Sequence, residues 1–369
     1  MLKICLFFSF IFFLATTSFA QNLTTPVSGG SPKAWVGEKI GMTDISIYYN
    51  RPGVKGREGK IWGDLVPYGY TDLGFGTSKS APWRAGADEN TTITFSTDVM
   101  VNGKPLPAGT YGFFIAVRES DADIIFSKNS TSWGSFFYDP KEDALKVVTK
   151  TIKTNESVER LRYEFSEEKE NSATINLYWE KLKIPFTVST DLIKTQMESF
   201  RKELRSNKGF DSDAWVQAIN YSVQNNINLE EALQWSDYAM NGVFIGQKNF
   251  KTISARANVL NKLNRNSEAD SLMKQAVPMA TMQELHQYAR QLIKNKKNGE
   301  ALSAYKMNAQ KFPNVFTTNM GLARGYSAMA DYKNALKYAR LAVSQAPDKA
   351  NKDAVEGFIK KLEEGKDIN

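Results

Sequence analysis

Two hydrophobic periods divide this chain. Between about residues 31 and 188, apolar and polar positions alternate in short runs: "TDISIYY" (43–49), "TTITF" (91–95) and "ATINLYW" (173–179). Alternation sends one set of side chains to a core and the other to solvent, so these runs predict strands. "PAGTYGFFIAV" (107–117) predicts a buried strand, and "DADIIFSK" (121–128) the strand after it. Val99 to Val101 runs into Asn102-Gly103, a dipeptide that accepts the positive φ angles of a primed hairpin turn. Trp35, Trp62, Trp83, Trp133 and Trp179 all fall in this half. Short strands punctuated by turn residues predict an all-β sandwich or jelly-roll-like domain over residues 21–189.

From about Thr190 the period becomes 3.6 residues. In "DYKNALKYARLAVSQAP", Ala335, Ala339 and Ala342 share one face, with Leu336 and Val343 beside them. Leu322, Ala323 and Tyr326 precede them, and Pro347 follows. These positions resemble the leucine, small residue, tyrosine, alanines and closing proline of the tetratricopeptide repeat. Pro313 stands 34 residues before Pro347, the period of that repeat, and Ala301 matches Ala335. Upstream, Ala269 with Ala276 and Ala232 with Ala239 keep the spacing, though the intervals drift to 32 and 37. The expectation is an all-α domain of tetratricopeptide-like hairpins over residues 212–369. Its hairpins would span 212–243, 247–278, 281–313 and 315–347, with a capping helix after Pro347. Residues 190–211 form a helical joint, with Ser212 or Asp213 as the cap of the first hairpin helix. One hairpin cannot bury its own apolar face, so hairpins stack and leave a groove suited to protein or peptide. A short array that packs on the β domain and binds nothing else is the plainer alternative.

The chain begins "MLKICLFFSFIFFLATTSFA". Lys3 is a positive n-region, residues 6–14 an apolar core, and Ser18-Phe19-Ala20 a small-residue cleavage site, so residues 1–20 read as a signal peptide cut before Gln21. The run is too short for a membrane span. A periplasmic or secreted protein follows. Cys5, the only cysteine, leaves with the signal, so the mature chain has no disulfide, thiol nucleophile or thiolate ligand. The formal charge of +7 becomes +6 once Lys3 is gone (7 − 1), a modest excess that serves solubility or favours anionic partners. Export argues against nucleic acid.

The catalytic inventory is thin. His286 is the only histidine and lies in the helical half, in "ELHQYAR", where it reads as a surface or packing residue. The β half therefore lacks a base for Ser-His-Asp chemistry and ligands for a histidine-rich metal site; no metal or cofactor is expected. Carboxylate chemistry remains open, with Asp64, Asp88 and Glu89 as candidates for a glycan hydrolase. "DEN" (88–90) is a weak match to a calcium loop, and "GYTDLGFGTSKS" (69–80) fails as a phosphate loop because Lys79 follows serine, not glycine.

One loop-like region stands out. "NRPGVKGREGKIWGDLVPYG" (50–69) supplies Arg51, Lys55, Arg57 and Lys60 between glycines and prolines, with Trp62 and Tyr68 as stacking faces. "PWRAGADEN" (82–90) adds Trp83, Arg84 and Asn90. Arg57 has the fork geometry to hold a carboxylate or phosphate. Arg51, Lys55, Arg57, Trp62, Tyr68, Trp83, Arg84 and Asn90 thus form a candidate ligand site. The competing reading is structural, an arginine of one segment pinned to a carboxylate of the other.

These stretches, with "VNGKPLPAGTYGFF", "IIFSKNSTSWGSFFYDPKEDALKV" and "ATINLYWEKLKIPFTV", resemble the family of exported bacterial domains catalogued as domain of unknown function twenty-nine-eleven. The resemblance covers about residues 31–188 and implies a β-rich secreted domain, with no activity or catalytic residue to transfer. Residues 70–81 are longer than the Tyr-Gly to Trp-Arg connection of many members, so this segment is expected to alter any shared pocket. Together these features predict an exported non-catalytic binding or scaffold protein with an unknown protein or glycan partner. A carboxylate-dependent hydrolase is the alternative.

Overall fold

The computed structural model describes residues 30–369, which form two compact units that divide between Thr195 and Gln196. The expected signal segment lies outside the described residues.

In the first unit, β1 (Lys33–Ile40), β2 (Thr43–Asn50), β3 (Thr92–Phe95), β6 (Gly109–Val117), β7 (Asp121–Ser127) and β8 (Asp143–Lys150) make one antiparallel sheet, in the order β1-β2-β3-β6-β7-β8. The second sheet is β5-β4-β10-β9, from β4 (Val99–Val101), β5 (Lys104–Leu106) and the long hairpin of β9 (Ile152–Lys169) and β10 (Ser172–Ser189). The alternating residues explain the pairing of the two faces. Ile45, Ile47, Ile93, Phe113, Ile115 and Phe126 from the first sheet meet Leu161, Tyr163, Ile175, Leu177 and Phe186 from the second in one core. Phe113 and Phe186 lie 5.5 Å apart across that core, and Tyr49 and Tyr163 4.7 Å. The architecture is a two-sheet sandwich. Asn102 (φ 45°) and Gly103 (φ 77°) make the turn between β4 and β5 that their sequence predicts. Alternation marks β9 only over Leu161, Tyr163 and Phe165. It is the sheet edge and heavily charged, and only Leu161 and Tyr163 among its side chains are buried.

In the second unit, four hairpins follow one another: α2 (Ser212–Asn225) with α3 (Leu229–Asn241), α4 (Phe250–Lys262) with α5 (Asn266–Ala276), α6 (Met282–Lys294) with α7 (Asn298–Lys311), and α8 (Phe316–Ala328) with α9 (Tyr332–Ser344). A last helix, α10 (Lys349–Glu363), follows Pro347. Ala232, Ala239, Ala269, Ala276, Ala301, Ala335 and Ala342, which carry the repeat spacing, are all 0% exposed. Their small side chains let helix backbones approach closely. The joint contains α1 (Leu192–Glu203) and a 3-10 turn (Asn207–Phe210). One local expectation is corrected. Asp211, not Ser212 or Asp213, caps α2, because its carboxylate accepts from the Asp213 N–H at 2.9 Å while those two residues are already helical.

Candidate functional site

The loop residues singled out in the β unit are largely engaged with the fold itself. The Arg51 guanidinium donates to the Leu161 carbonyl on β9 (2.9 Å). Arg57 donates to the carbonyls of Val54 (2.9 Å) and Gly53 (2.8 Å), tying off its own turn. Lys55, at φ 52°, gives its backbone N–H to the Glu159 carboxylate (3.2 Å). Arg84 donates to the backbone carbonyl of Asp88 (2.8 Å) and lies over the Phe136 ring at 5.2 Å; burial lowers its pKa, with the Asp88 charge opposing. The arginines hold backbone carbonyls, where the structural reading expected carboxylates. The pin between the two loops is instead Asn50, whose amide reaches the Asp88 carboxylate at 3.4 Å. Asn90 has both side-chain polar atoms buried without a hydrogen-bond partner.

The tryptophans converge. Trp62, Trp83 and Trp179 form a triad with ring centres 5.6, 5.7 and 5.9 Å apart, and Trp179 is only 1% exposed. Trp83 also donates its indole N–H to Gly86 (3.0 Å). Trp62 and Tyr68, which is 43% exposed, still line an open cavity of about 190 Å³ with Arg118, Lys153, Glu180 and Lys181. Glu180 is buried there with its carboxylate on the N–H groups of Gly59 (3.3 Å) and Lys181 (2.7 Å). The longer segment 70–81 leaves this cavity alone. It crosses the outer face of β6–β8, where the Tyr70 hydroxyl donates to Asp123 (2.8 Å) and Ser78 N–H to the Phe136 carbonyl (3.0 Å).

The three acids offered for hydrolysis are unevenly placed. Glu89 is ion-paired with Lys33 at 2.7 Å, Asp88 accepts from Asn50, and Asp64 has no hydrogen bond or ion pair among the described residues. A two-carboxylate mechanism needs a second acid as available as Asp64. No group of three or more His, Cys, Asp or Glu side chains converges as a metal site among the described residues.

A wide opening lies in the helical unit. The first helices of successive hairpins pack together at α2–α4 and α6–α8, but α4 and α6 scarcely touch. Pro278 stops α5, one 3-10 turn (Val277–Met279) follows, and Thr281 starts α6 through a capping box with Glu284. Apolar side chains join the two hairpins at one end only, through Phe250, Ile253, Leu285 and Tyr288. Elsewhere the facing side chains are polar. Asn258 and Asn261 of α4 and Gln283, Gln287, Gln291 and Asn295 of α6 line a cavity of about 1030 Å³. It shares Met273, Tyr288 and Leu292 with a second cavity of about 690 Å³. Closing the hairpins would take these amides out of water, and each one left without a partner would cost about 1–3 kcal/mol. The sequence reading did not single out these residues. The signal was present in "QELHQYARQLIKN": glutamines at 283, 287 and 291, then Asn295, recur every four residues on one helix stripe.

The architecture defines a class: a β-sandwich unit followed by a tetratricopeptide-like array with an interrupted stack. Residues 31–188 match the family described as Protein of unknown function (DUF2911), and the match ends within β10, before the helices. No curated protein matches the chain. A solved structure of YrrB, titled a TPR protein with an unusual peptide-binding site, aligns with 46% of this chain and 86% of its own, at 19% identity and a TM-score of 0.29. At that TM-score the likeness adds nothing to the helices described above.

Proposed function

We propose that this is an exported, non-catalytic binding protein whose helical unit holds an extended polypeptide in the amide-lined cleft between α4/α5 and α6/α7. The observation that carries this reading is the open stack itself, polar along its walls and apolar on its floor. Carboxamides both donate and accept, so a ladder of them can pair with the main chain of a peptide whatever its side chains. Met273, Tyr288 and Leu292 offer apolar contact to alternate side chains. No helix of the described residues is long and apolar enough to cross a membrane. The small cavity of the β unit at Trp62 and Tyr68 is the place where a glycan would be sought.

A peptide array probed with the chain from Gln21 onward tests the reading, with a glycan array beside it. The expected result is peptide binding that the double substitution Gln287→Ala with Gln291→Ala weakens at least about tenfold, roughly 1.4 kcal/mol. Binding that survives the double substitution unchanged, in a variant with unaltered circular dichroism, rejects the cleft. So does the absence of any peptide signal.

A further inference from the structure

On the side of α6 that faces α8 lies a second polar cluster, distinct from the amide stripe. His286 and Arg290 stand four residues apart on α6, Tyr305 comes from α7 and Arg324 from α8. Gly321 and Gly325 of α8 make the room. A Cβ at Gly321 would stand 2.5 Å from the Tyr305 ring and 3.4 Å from His286 Nδ1, and one at Gly325 2.9 Å from the same ring. Tyr305 is 0% exposed, and its ring meets His286 edge-on at 5.5 Å. Both the Tyr305 hydroxyl and His286 Nδ1 are buried without a hydrogen-bond partner.

The charges around these orphaned atoms are of one sign. Burial and the fields of Arg324 and Arg290 push the His286 pKa down to about 4, against a hydrogen bond to the Thr317 backbone that raises it; burial first, and then Arg290, lowers the pKa of Arg324. Arg324 donates one bond, to the Ile368 carbonyl (3.1 Å), and lies 5.1 Å over Phe358. Among the described residues neither arginine has a carboxylate within ion-pair distance. Asp367, whose field reaches Arg324, is committed to Ser327 (2.5 Å) and to Asn369 and the Ile368 N–H (both 2.8 Å). The partly buried Arg324 guanidinium, repelled by the exposed Arg290, and the buried, unpaired Tyr305 hydroxyl are each costly where water is scarce. An anion would remove both costs at once.

We propose that His286, Arg290, Tyr305 and Arg324 form a binding site for a small oxyanion, a carboxylate or a phosphate group. The guanidiniums supply charge-assisted hydrogen bonds and the Tyr305 hydroxyl donates a further one, its ring seated against Gly321 and Gly325. The site lies on the other stripe of α6 and does not depend on the cleft binding a peptide.

The lone histidine makes the test direct, because one imidazole signal reports the site. The full mature chain is titrated from about pH 7 to about pH 4 and the His286 ring followed by NMR, in chloride, formate or inorganic phosphate at equal ionic strength. Anion binding offsets the arginine fields, so the His286 pKa is expected to rise by about one unit, a tenfold gain in proton affinity. A rise in formate alone assigns a carboxylate, and a rise in phosphate alone a phosphate group. Arg290→Gln should abolish the response, and Tyr305→Phe should weaken anion affinity about tenfold. Identical titrations in all three salts overturn the site, leaving water as its only occupant. Where a variant fails to fold, the wild-type protein still decides: an oxyanion site predicts a rise in melting temperature in formate or phosphate over chloride.

Discussion

His286 illustrates how one side chain ties packing to pH. Its imidazole is held neutral by burial and by two arginines, with a pKa near 4 against 6.5 for the free residue. The unfolded chain therefore binds a proton that the folded chain refuses. Stability is full above about pH 6.5, falls as pH drops through the interval down to about 4, and levels off below it. Allowing for residual solvent contact, the loss is about 2–3 kcal/mol. Urea unfolding at several pH values should show this slope, and His286→Gln should flatten it. An unchanged slope in the variant would place the acid sensitivity elsewhere. The same scale shows what single residues disclose in advance. Arg57 is legible as a fork-shaped donor, but only the folded loop brings the Gly53 and Val54 carbonyls within 2.9 Å of it.

At the scale of elements, the outer face of β6–β8 is covered by loops whose tyrosines cap buried acids. The Tyr138 hydroxyl donates to Asp143 Oδ2 at 2.7 Å, while Asp143 Oδ1 is buried without a partner. Burial raises the Asp143 pKa, and the Tyr138 bond works against that rise. A folded-state pKa above the unfolded value means the ionised acid costs stability as pH rises through it. Tyr138→Phe removes the donor and should destabilise the protein by about 1–3 kcal/mol at neutral pH. The deficit should shrink below about pH 4, where the acid is protonated in both states. Guanidinium unfolding at the two pH values checks this; an equal deficit at both would make the tyrosine a packing residue only. The alanine spacing made the hairpins readable because small residues recur wherever helices cross. The same repeat spacing gave no warning that α4 and α6 would part. That depends on which residues line the facing surfaces, and Asn258, Asn261, Gln287 and Gln291 look like ordinary solvent-facing residues in a linear reading.

For the whole molecule, each unit has its own apolar interior: one large core in the sandwich and a chain of smaller clusters along the hairpins. Units of this kind unfold as separate cooperative steps. Trp179→Ala removes a fully buried ring from the sandwich and should cost about 3–5 kcal/mol. Calorimetry should show the sandwich transition falling to lower temperature while the helical transition stays in place. A single shared transition, displaced as a whole, would refute that division.

The linear sequence by itself determined the two periods, the turn at Asn102-Gly103 and the hairpin spacing, because these follow from steric rules acting over a few residues. It also delimited the chemistry by leaving the β half without histidine and, after the expected cleavage, without cysteine. Only the tertiary structure decided that Trp62, Trp83 and Trp179 meet, that Arg51 reaches β9, and that the stack opens between its second and third hairpins. Those outcomes join residues far apart along the chain. Each depends on which surfaces meet in space, and the triad forms although Trp62 and Trp179 bury indole N–H groups without a partner.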